Sequence, residues 1–407
     1  MTSAPTKEPP SGNVPVWDVD PYDASLLAAP RAYYRELRAR GPLVWLSRYG
    51  IWASGRYEPV REIFGDWKRF CSSRGVGLTD FKTEDPWRPP SIILEVDPPE
   101  HDRTRAVMAN AMSVQAISAL RERFQAEADA LVDELVDKGQ FDAVPDLAQA
   151  YPLKVFPDAV GLDDEGREHL LQYANMVFNA LGPDNTLRRN AMADAPRVVA
   201  WIAEKCQRDA LSDTGFGASI YAAADNEEIT HEEAALLVRS LLSAGIDTTV
   251  SAIGNAVLCL ATHPRQWEKL KTAPTLVRQV FEEVLRYTTP VHSFCRTANV
   301  DTEVAGIPIR EGDKVICVLG AANLDPDHWN QPHKFDIERR TAGHLALGVG
   351  IHSCVGQLVA RLEGHSVLGA LVRKVDGIGL HGTPEWSPGN SLTTLASLPV
   401  SLVSAPH

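Results

Sequence analysis

The sequence of 407 residues predicts a mainly α-helical fold with a small β part. Apolar residues recur at helical spacing over many segments, whereas strand-like segments are few and short. One segment, 230–262, is much longer than an average helix and is apolar on most sides, which predicts a helix through the core. No repeat or low-complexity linker divides the chain. We therefore expect a flexible N-terminal segment at 1–15 and a single domain at 16–407.

The individual elements follow from local signals along the chain. Gly41-Pro42 ends a predicted helix, and residues rich in proline and charge predict a loop at Asp80–Pro90. The long helix begins at a capping box formed by Thr230 and Glu233, and His263-Pro264 ends it. The other predicted helices are Arg31–Arg40, His101–Lys138, Asp146–Val160, Glu165–Leu181, Arg188–Arg208 and one from Gln357. The predicted strands are Leu43–Ser47, Gly50–Ala53, Ile307–Ile309 and Lys314–Leu319.

Composition excludes several classes of protein. The net charge of −13 argues against nucleic acid as the main partner, because phosphate binding requires a basic surface. No run of about 18 consecutive apolar residues predicts a membrane span, and the polar N-terminus lacks the apolar core of a signal peptide. The six cysteines are scattered without a CxxC pair, which predicts neither a disulfide framework nor a zinc site. We expect a cytoplasmic protein without membrane contact.

The segment Leu347–Gly356 carries the most informative pattern. Glycines at positions 348, 350 and 356 permit positive φ and close approach of the backbone to a flat ligand. Cys354 precedes a predicted helix, whose dipole favours a thiolate at this position. The alternative is that Cys354 is a small buried apolar residue, as most isolated cysteines are.

Two further motifs lie upstream of this cysteine loop. Glu283 and Arg286 have i,i+3 spacing and can pair on one helix face, although such pairs are also common on surfaces. Within the long helix, Gly245 weakens the helix and Thr248 can bond to a carbonyl one turn earlier, which bends it. Asp247 and Thr248 form an acid–alcohol pair suited to proton transfer. Alternatively, Asp247 makes a cap or a salt bridge and Thr248 fills space.

The three motifs together resemble those of the cytochrome P450 family. The cysteine loop resembles Phe-Gly-x-Gly-x-His-x-Cys-x-Gly, with Leu347 where the family usually has phenylalanine. The resemblance implies the P450 fold, with haem b between the long helix and the helix after the cysteine, and with Cys354 as axial ligand of the iron. It also implies that Asp247 and Thr248 deliver protons for O2 activation. The residues implied for the haem propionates are His101, Arg105, Arg296 and His352.

Three stretches, 71–78, 86–91 and 237–245, resemble more narrowly the bacterial P450s that oxidise para-substituted benzoates. This implies O-demethylation of 4-methoxybenzoate to 4-hydroxybenzoate in a monomer, with O2 and with electrons from a [2Fe-2S] ferredoxin served by an NADH-dependent reductase. A polar stripe of Ser240, Ser243 or Ala244, Asp247 and Ser251 is predicted on one face of the long helix. The residues implied for the aromatic acid are Arg88, Ser91, Leu94, Val177, Phe178, Leu181, Arg239, Ser240, Ser243, Ala244, Val291 and Phe294.

Two other functions stay open at this stage. One is a P450 that hydroxylates a terpenoid or a fatty acid, against which the arginine of the loop at 86–91 and the small implied pocket argue. The other is a haem-thiolate sensor that binds a ligand without turnover. The intact pair Asp247 and Thr248 argues against a sensor, because a sensor does not need proton delivery.

Overall fold

The computed structural model describes residue 9 and residues 14–404, so most of the predicted flexible segment 1–15 lies outside the described residues. The described residues are mainly helical, as predicted. The α-helices are α1 Ala24–Ala28, α2 Arg31–Arg40, α3 Tyr57–Gly65, α4 Glu100–Ala111, α5 Val114–Ala119, α6 Arg121–Lys138, α7 Ala150–Val160, α8 Glu168–Ala180, α9 Thr186–Ala191, α10 Ala195–Lys205, α11 Phe216–Asp225, α12 His231–Ala244, α13 Asp247–Thr262, α14 Pro264–Thr272, α15 Val277–Thr288, α16 Leu319–Ala322 and α17 Gln357–Lys374.

Within residues 14–404, the β part consists of one six-stranded sheet and three small sheets. The strands are β1 Val16–Trp17, β2 Val44–Leu46, β3 Ile51–Ser54, β4 Phe70–Cys71, β5 Gln140–Asp142, β6 Ser293–Ala298, β7 Thr302–Val304, β8 Ile307–Ile309, β9 Lys314–Val318, β10 Val375–Leu380, β11 Glu385–Ser387, β12 Thr394–Ser397 and β13 Pro399–Ser404. The large sheet has the order β1-β2-β3-β9-β6-β4, and β10-β13-β5, β11-β12 and β7-β8 form the others. The sheet therefore brings β6, which carries Phe294 and Arg296, next to β9.

Several predicted helices are interrupted. The predicted helix His101–Lys138 forms three helices, α4 to α6, because the Ser113 side chain accepts a hydrogen bond from the backbone N–H of Ala116 and caps a new helix start. The predicted helix Arg188–Arg208 is divided into α9 and α10, and Pro196 lies in the first turn of α10, where proline is tolerated. Helix α11 and the four strands after α17, β10 to β13, were not predicted.

The predicted long helix passes through the core as α12 followed by α13. The Thr230 side chain accepts from the N–H of Glu233, and the Glu233 carboxylate accepts from the N–H of Thr230, which confirms the capping box. By length and composition alone, His231–Thr262 is apolar enough to cross a membrane, but 72% of its most apolar 18 residues are buried within the protein. Such burial is typical of a helix in the core of a globular fold.

The pair Glu283 and Arg286 is completely buried on α15. Arg286 donates from Nε and one terminal nitrogen to the two carboxylate oxygens of Glu283, at 2.7 and 2.8 Å. Arg339 adds a third charge, with its Nε 3.1 Å from Glu283 Oε1. Arg286 also donates to the carbonyls of Asn323 and Pro332. These contacts connect α15 to the long segment before the cysteine loop. The pair therefore has a structural role, which an exposed surface pair would not have.

Candidate active site

A large internal cavity lies between α12–α13 and the cysteine loop before α17. About 1740 Å³ of this region is not occupied by protein atoms, a volume that includes space open to solvent. Most of the residues that sequence analysis assigned to the site line this cavity, although they come from distant parts of the chain. The assigned residues in its wall are Arg88, Ser91, Leu94, Arg105, Val177, Phe178, Leu181, Arg239, Ser240, Ser243, Ala244, Thr248, Val291, Phe294, Arg296, His352 and Cys354. His101 and Asp247 lie outside that wall.

The cysteine loop has the backbone conformation that its glycines predict, with one exception. Gly348 and Gly350 have φ of 69° and 74°, in the left-handed region that side chains with a Cβ rarely adopt. The backbone N–H of Cys354 donates to the carbonyl of Leu347 at 2.8 Å, which closes the loop. Gly356 has an ordinary φ of −80°, so the prediction of positive φ is wrong at this position. A Cβ there would lie 3.9 Å from Cys354 Sγ, an ordinary contact distance.

Cys354 is the cysteine that faces the cavity. The other five cysteines, all within the described residues, are buried and do not line it. Burial raises the pKa of the Cys354 thiol, and the backbone N–H of Gly356 and the charge of Arg105 oppose this shift. A metal cation bonded to the sulfur would hold it as the thiolate despite burial.

Three basic side chains, Arg105, Arg296 and His352, line the cavity near the cysteine loop, and His101 contacts one of them. Arg296 is 2% exposed, and the hydrogen bond recorded for its guanidinium goes to the carbonyl of Cys295. Burial lowers the pKa of both Arg296 and Arg105. The rings of His101 and His352 are in edge contact, with centroids 4.5 Å apart. His101 therefore lies beside His352 but outside the cavity wall.

These basic groups fit the two propionates of haem. Within the described residues, His101 Nε2 and both ring nitrogens of His352 are buried without a hydrogen-bond partner. Buried polar atoms without partners are costly, and an anionic group in the cavity would accept a hydrogen bond from any of these ring nitrogens that carries a proton. Asp97, which sequence analysis missed, has its Oδ1 3.9 Å from His352 Nε2. Burial would raise the pKa of Asp97, but its interaction with His352 and the hydrogen bonds from the backbone N–H groups of Ser72 and Ser73 lower it to about 2.

The helical hydrogen bonding is interrupted between α12 and α13, as predicted. Gly245 follows α12, and a Cβ at this position would lie 2.3 Å from Phe156 Cζ, so a side chain is excluded. The hydroxyl of Thr248 donates to the carbonyl of Ala244, one turn earlier, at 2.8 Å. Both Ala244 and Thr248 face the cavity. The predicted local opening therefore lies at the cavity wall, opposite the cysteine loop.

Asp247 does not face the cavity, contrary to the prediction of an adjacent acid–alcohol pair. Its side chain lines a second, smaller pocket, together with Gln149, Asn175 and Asn179. Successive helix residues point about 100° apart, so Asp247 and Thr248 lie on different faces of the first turn of α13. Among residues 14–404, the Asp247 carboxyl has no hydrogen-bond or ion-pair partner, and burial raises its pKa to about 8.

This pKa makes stability depend on pH in a defined direction. Between roughly pH 4, the ordinary aspartate pKa, and pH 8, folded Asp247 holds a proton that the unfolded chain releases. Wild-type stability should therefore fall as pH rises through this window. We expect Asp247→Asn, which cannot titrate, to gain melting temperature relative to wild type from pH 5 to pH 8. Differential scanning calorimetry of both holoproteins measures this, and a difference independent of pH would contradict it.

Serine hydroxyls meet where the loop before α4 faces α12 in the cavity wall, a region that we call the roof. The Oγ atoms of Ser91 and Ser240 are 3.3 Å apart, although 149 residues separate them in sequence. Ser240 donates to the carbonyl of Leu236, and Ser243 donates to that of Ser240. Ser251 does not belong to the predicted stripe. Its hydroxyl donates to the Thr393 carbonyl, on the side of α13 that faces away from the cavity. The break after α12 ends the stripe at Ala244.

Three charged side chains surround the serines of the roof. Arg239 donates to the carbonyls of Pro89 and Pro90, at 2.8 and 3.2 Å. Arg88 donates to the Pro89 carbonyl, and its buried Nε has no partner among the described residues. Glu95, which sequence analysis missed, lies 3.5 Å from Arg88 and accepts the N–H of Ser91 at 2.7 Å. The roof thus combines two guanidinium groups and one carboxylate beside two hydroxyls.

A cavity lined by one cysteine, by two arginines and a histidine near that cysteine, and by an opened helix defines the haem-thiolate class of proteins. The family model of cytochrome P450 matches residues 168–273 and 273–396, more than half of the chain. The chain belongs to the cytochrome P450 family. It is therefore a haem–iron monooxygenase with a cysteine thiolate as axial ligand, and it uses O2 and electrons from a redox partner.

Individual relatives support the same assignment. Cytochrome P450 CYP199A2 of Rhodopseudomonas palustris is 50% identical over 412 residues and covers both chains completely. Cytochrome P450 107B1 of Saccharopolyspora erythraea is 32% identical, over 77% of this chain and 78% of its own. Among solved structures, cytochrome P450 CREJ in complex with (4-ethylphenyl) dihydrogen phosphate is 28% identical with a TM-score of 0.85, and the match covers 94% of this chain and 99% of that one.

Proposed function

We propose that this P450 oxidises para-substituted benzoic acids and O-demethylates 4-methoxybenzoate to 4-hydroxybenzoate. The observation that carries the proposal is the roof, where Arg88, Arg239, Ser91 and Ser240 converge on a largely apolar cavity. A carboxylate that enters such a cavity loses its hydration and needs charged and hydroxyl donors in return. The relative CREJ, whose solved complex holds an aryl phosphate, shows that this fold accommodates an aromatic ring with an anionic group.

The same proposal assigns the haem ligands. Cys354 would bind the iron, and Arg105, Arg296 and His352 would hold the propionates, with His101 supporting His352. When bound, haem supplies activation of O2, and a thiolate ligand favours cleavage of the O–O bond. The support for these roles is the exposure of Cys354 to the cavity and the buried polar atoms without partners near the cysteine loop.

The residues of the chain would orient the substrate and handle protons. Ser91 and Ser240 would donate to the carboxylate, Arg88 would supply charge, and Arg239 would act directly or through water. The apolar walls would hold the ring and leave the para substituent at the end near Cys354, so regioselectivity follows from positioning. The Thr248 hydroxyl lies in the cavity wall, and its Oγ1 proton would be available for transfer. The wall residues assigned to the ring are Leu94, Val177, Phe178, Leu181, Ser243, Ala244, Val291 and Phe294.

A reconstituted assay tests the proposed reaction. The holoprotein would be combined with a [2Fe-2S] ferredoxin and an NADH-dependent reductase, the partners that we propose. We expect 4-methoxybenzoate to give equal amounts of 4-hydroxybenzoate and formaldehyde, because hydroxylation of the methyl carbon releases both. Turnover of fatty acids or terpenoids, with no turnover of 4-methoxybenzoate, would overturn the proposal. NADH consumption that no substrate stimulates would instead indicate a sensor.

Thr248→Ala should separate binding from proton delivery. We expect the affinity for 4-methoxybenzoate to stay close to that of wild type, since the hydroxyl does not belong to the roof. A larger share of the NADH electrons should appear as hydrogen peroxide instead of product, because proton delivery is impaired. Thr262→Ala is the matched control, since Thr262 makes the same bond to the carbonyl four residues earlier, but outside the cavity. Unchanged coupling of NADH to product in Thr248→Ala would contradict this role.

A further inference from the structure

We infer that Glu95 sets the charge of the acid that the roof accepts, by cancelling one of its two guanidinium charges. This inference rests on the proposed function and adds a specificity-determining residue to it. Glu95 follows the roof loop Arg88–Ser91, and its side chain lines the cavity together with those of Arg88 and Arg239. With Glu95 ionised, the roof carries two positive charges and one negative charge, and one positive charge stays uncompensated.

The contacts of Glu95 hold it in this position. Its side chain is 4% exposed, and Oε2 lies 3.5 Å from a terminal nitrogen of Arg88. The same oxygen accepts the backbone N–H of Ser91 at 2.7 Å, and the N–H of Glu95 donates to the carbonyl of Ser91. A single helical turn therefore fixes the carboxylate beside the serine that is proposed to bind substrate. Glu95 is not free to swing away when an anion enters.

The other charged groups of the cavity lie elsewhere. Arg105 and Arg296 belong to the edge near the cysteine loop, where the haem propionates would neutralise them. The second carboxyl in the cavity wall, Glu363, lies on α17, and burial raises its pKa well above the usual range, so it is uncharged. Tyr173 is close to the roof, and burial raises its pKa, so it is neutral as well. The net charge at the roof therefore depends on Arg88, Arg239 and Glu95.

A roof with one uncompensated positive charge selects substrates that carry one negative charge. One carboxylate on the substrate balances the uncompensated charge, whereas a dianion leaves a buried negative charge beside Glu95. Buried unpaired charge is strongly unfavourable, and repulsion between like charges a few ångströms apart is weakly screened beside side chains as little exposed as Arg88 and Glu95. Glu95 would thus disfavour a second negative charge on the substrate, while Arg88 and the serines favour the first.

Two ligands of similar shape test the inference. 4-Methoxybenzenesulfonate is a monoanion, and 4-methoxyphenyl phosphate is a dianion at pH 8, because the second pKa of a phosphate ester is about 6. Titration calorimetry of the holoprotein at pH 8 gives both dissociation constants. In Glu95→Gln we expect the affinity for the phosphate to rise relative to that for the sulfonate by about tenfold or more. The glutamine oxygen can still accept the N–H of Ser91, so the turn is kept.

Glu95→Asp is the control, because it keeps the charge with a shorter side chain. Its ratio of phosphate to sulfonate affinity should stay near that of wild type. An unchanged ratio in Glu95→Gln, or equal changes in Glu95→Gln and Glu95→Asp, would overturn the inference, as would failure of Glu95→Gln to bind the phosphate. Failure of wild type to bind 4-methoxybenzoate would instead overturn the proposed function, and the ratio of the two probes would still test Glu95.

Discussion

Cys354→Ser should abolish the strongly red-shifted absorption of the reduced carbonyl complex. That band requires a thiolate on the haem iron, and an alkoxide or alcohol does not supply the same electron density to it. Cys354 lines the cavity, and its N–H is held by the Leu347 carbonyl in a loop whose backbone needs two glycines. We therefore expect complete loss of the band, together with loss of monooxygenase activity.

Cys206→Ser is the matched control, because Cys206 is buried away from the cavity. It should keep the band at full intensity, whatever it costs in stability. Absorption spectra of both dithionite-reduced holoproteins under carbon monoxide measure the effect. Survival of the band in Cys354→Ser would show that another residue binds the iron.

Glu283→Gln should lower the free energy of unfolding by about 3–5 kcal/mol, the usual cost of breaking a buried ion pair by removing one partner. The neutral side chain would leave Arg286 and Arg339 without their shared counterion in a site with no solvent access to Arg286. Because these contacts tie α15 to the segment before the cysteine loop, we also expect weaker haem retention.

Asp194→Asn provides the comparison. Asp194 and Arg197 have the same i,i+3 spacing, but both side chains are more than half exposed. Exposed pairs contribute about 0–1 kcal/mol, so this variant should unfold almost as wild type does. Urea unfolding of the two variants and wild type gives the values. Equal losses in Glu283→Gln and Asp194→Asn would contradict the structural role of the buried pair.

Local signals in the sequence predicted much of the site. The capping box at Thr230, the interruption at Gly245 and the hydroxyl bond of Thr248 all depend on neighbours within one or two helical turns. Arg31–Arg40 was predicted to the residue for the same reason. The convergence of Ser91 and Ser240 was predicted from resemblance, and the Oγ distance of 3.3 Å confirms that the two residues meet.

The residues that were missed depend on contacts that the sequence does not reveal. Glu95 is positioned by the turn after Ser91 and by its contact with Arg88, and Asp97 is positioned by its contact with His352. The first contact forms within an irregular loop, and the second joins residues far apart in the sequence, so local patterns predict neither. The direction in which the Asp247 side chain points depends on how α13 is rotated after the break. The periodicity of an uninterrupted helix predicts the wrong direction. The strands after α17 are short, and pairing partners such as β5 lie far away in the chain.

The central claim is that an anionic aromatic acid binds at the roof of a P450 cavity. Optical titration of the holoprotein with 4-methoxybenzoate and with its methyl ester tests it most directly, through the change in haem spin state. We expect the acid to shift the spin state and the ester to bind more weakly by about 2 kcal/mol or more, roughly thirtyfold, since a charged hydrogen bond is lost. Equal responses to the acid and the ester would contradict the claim.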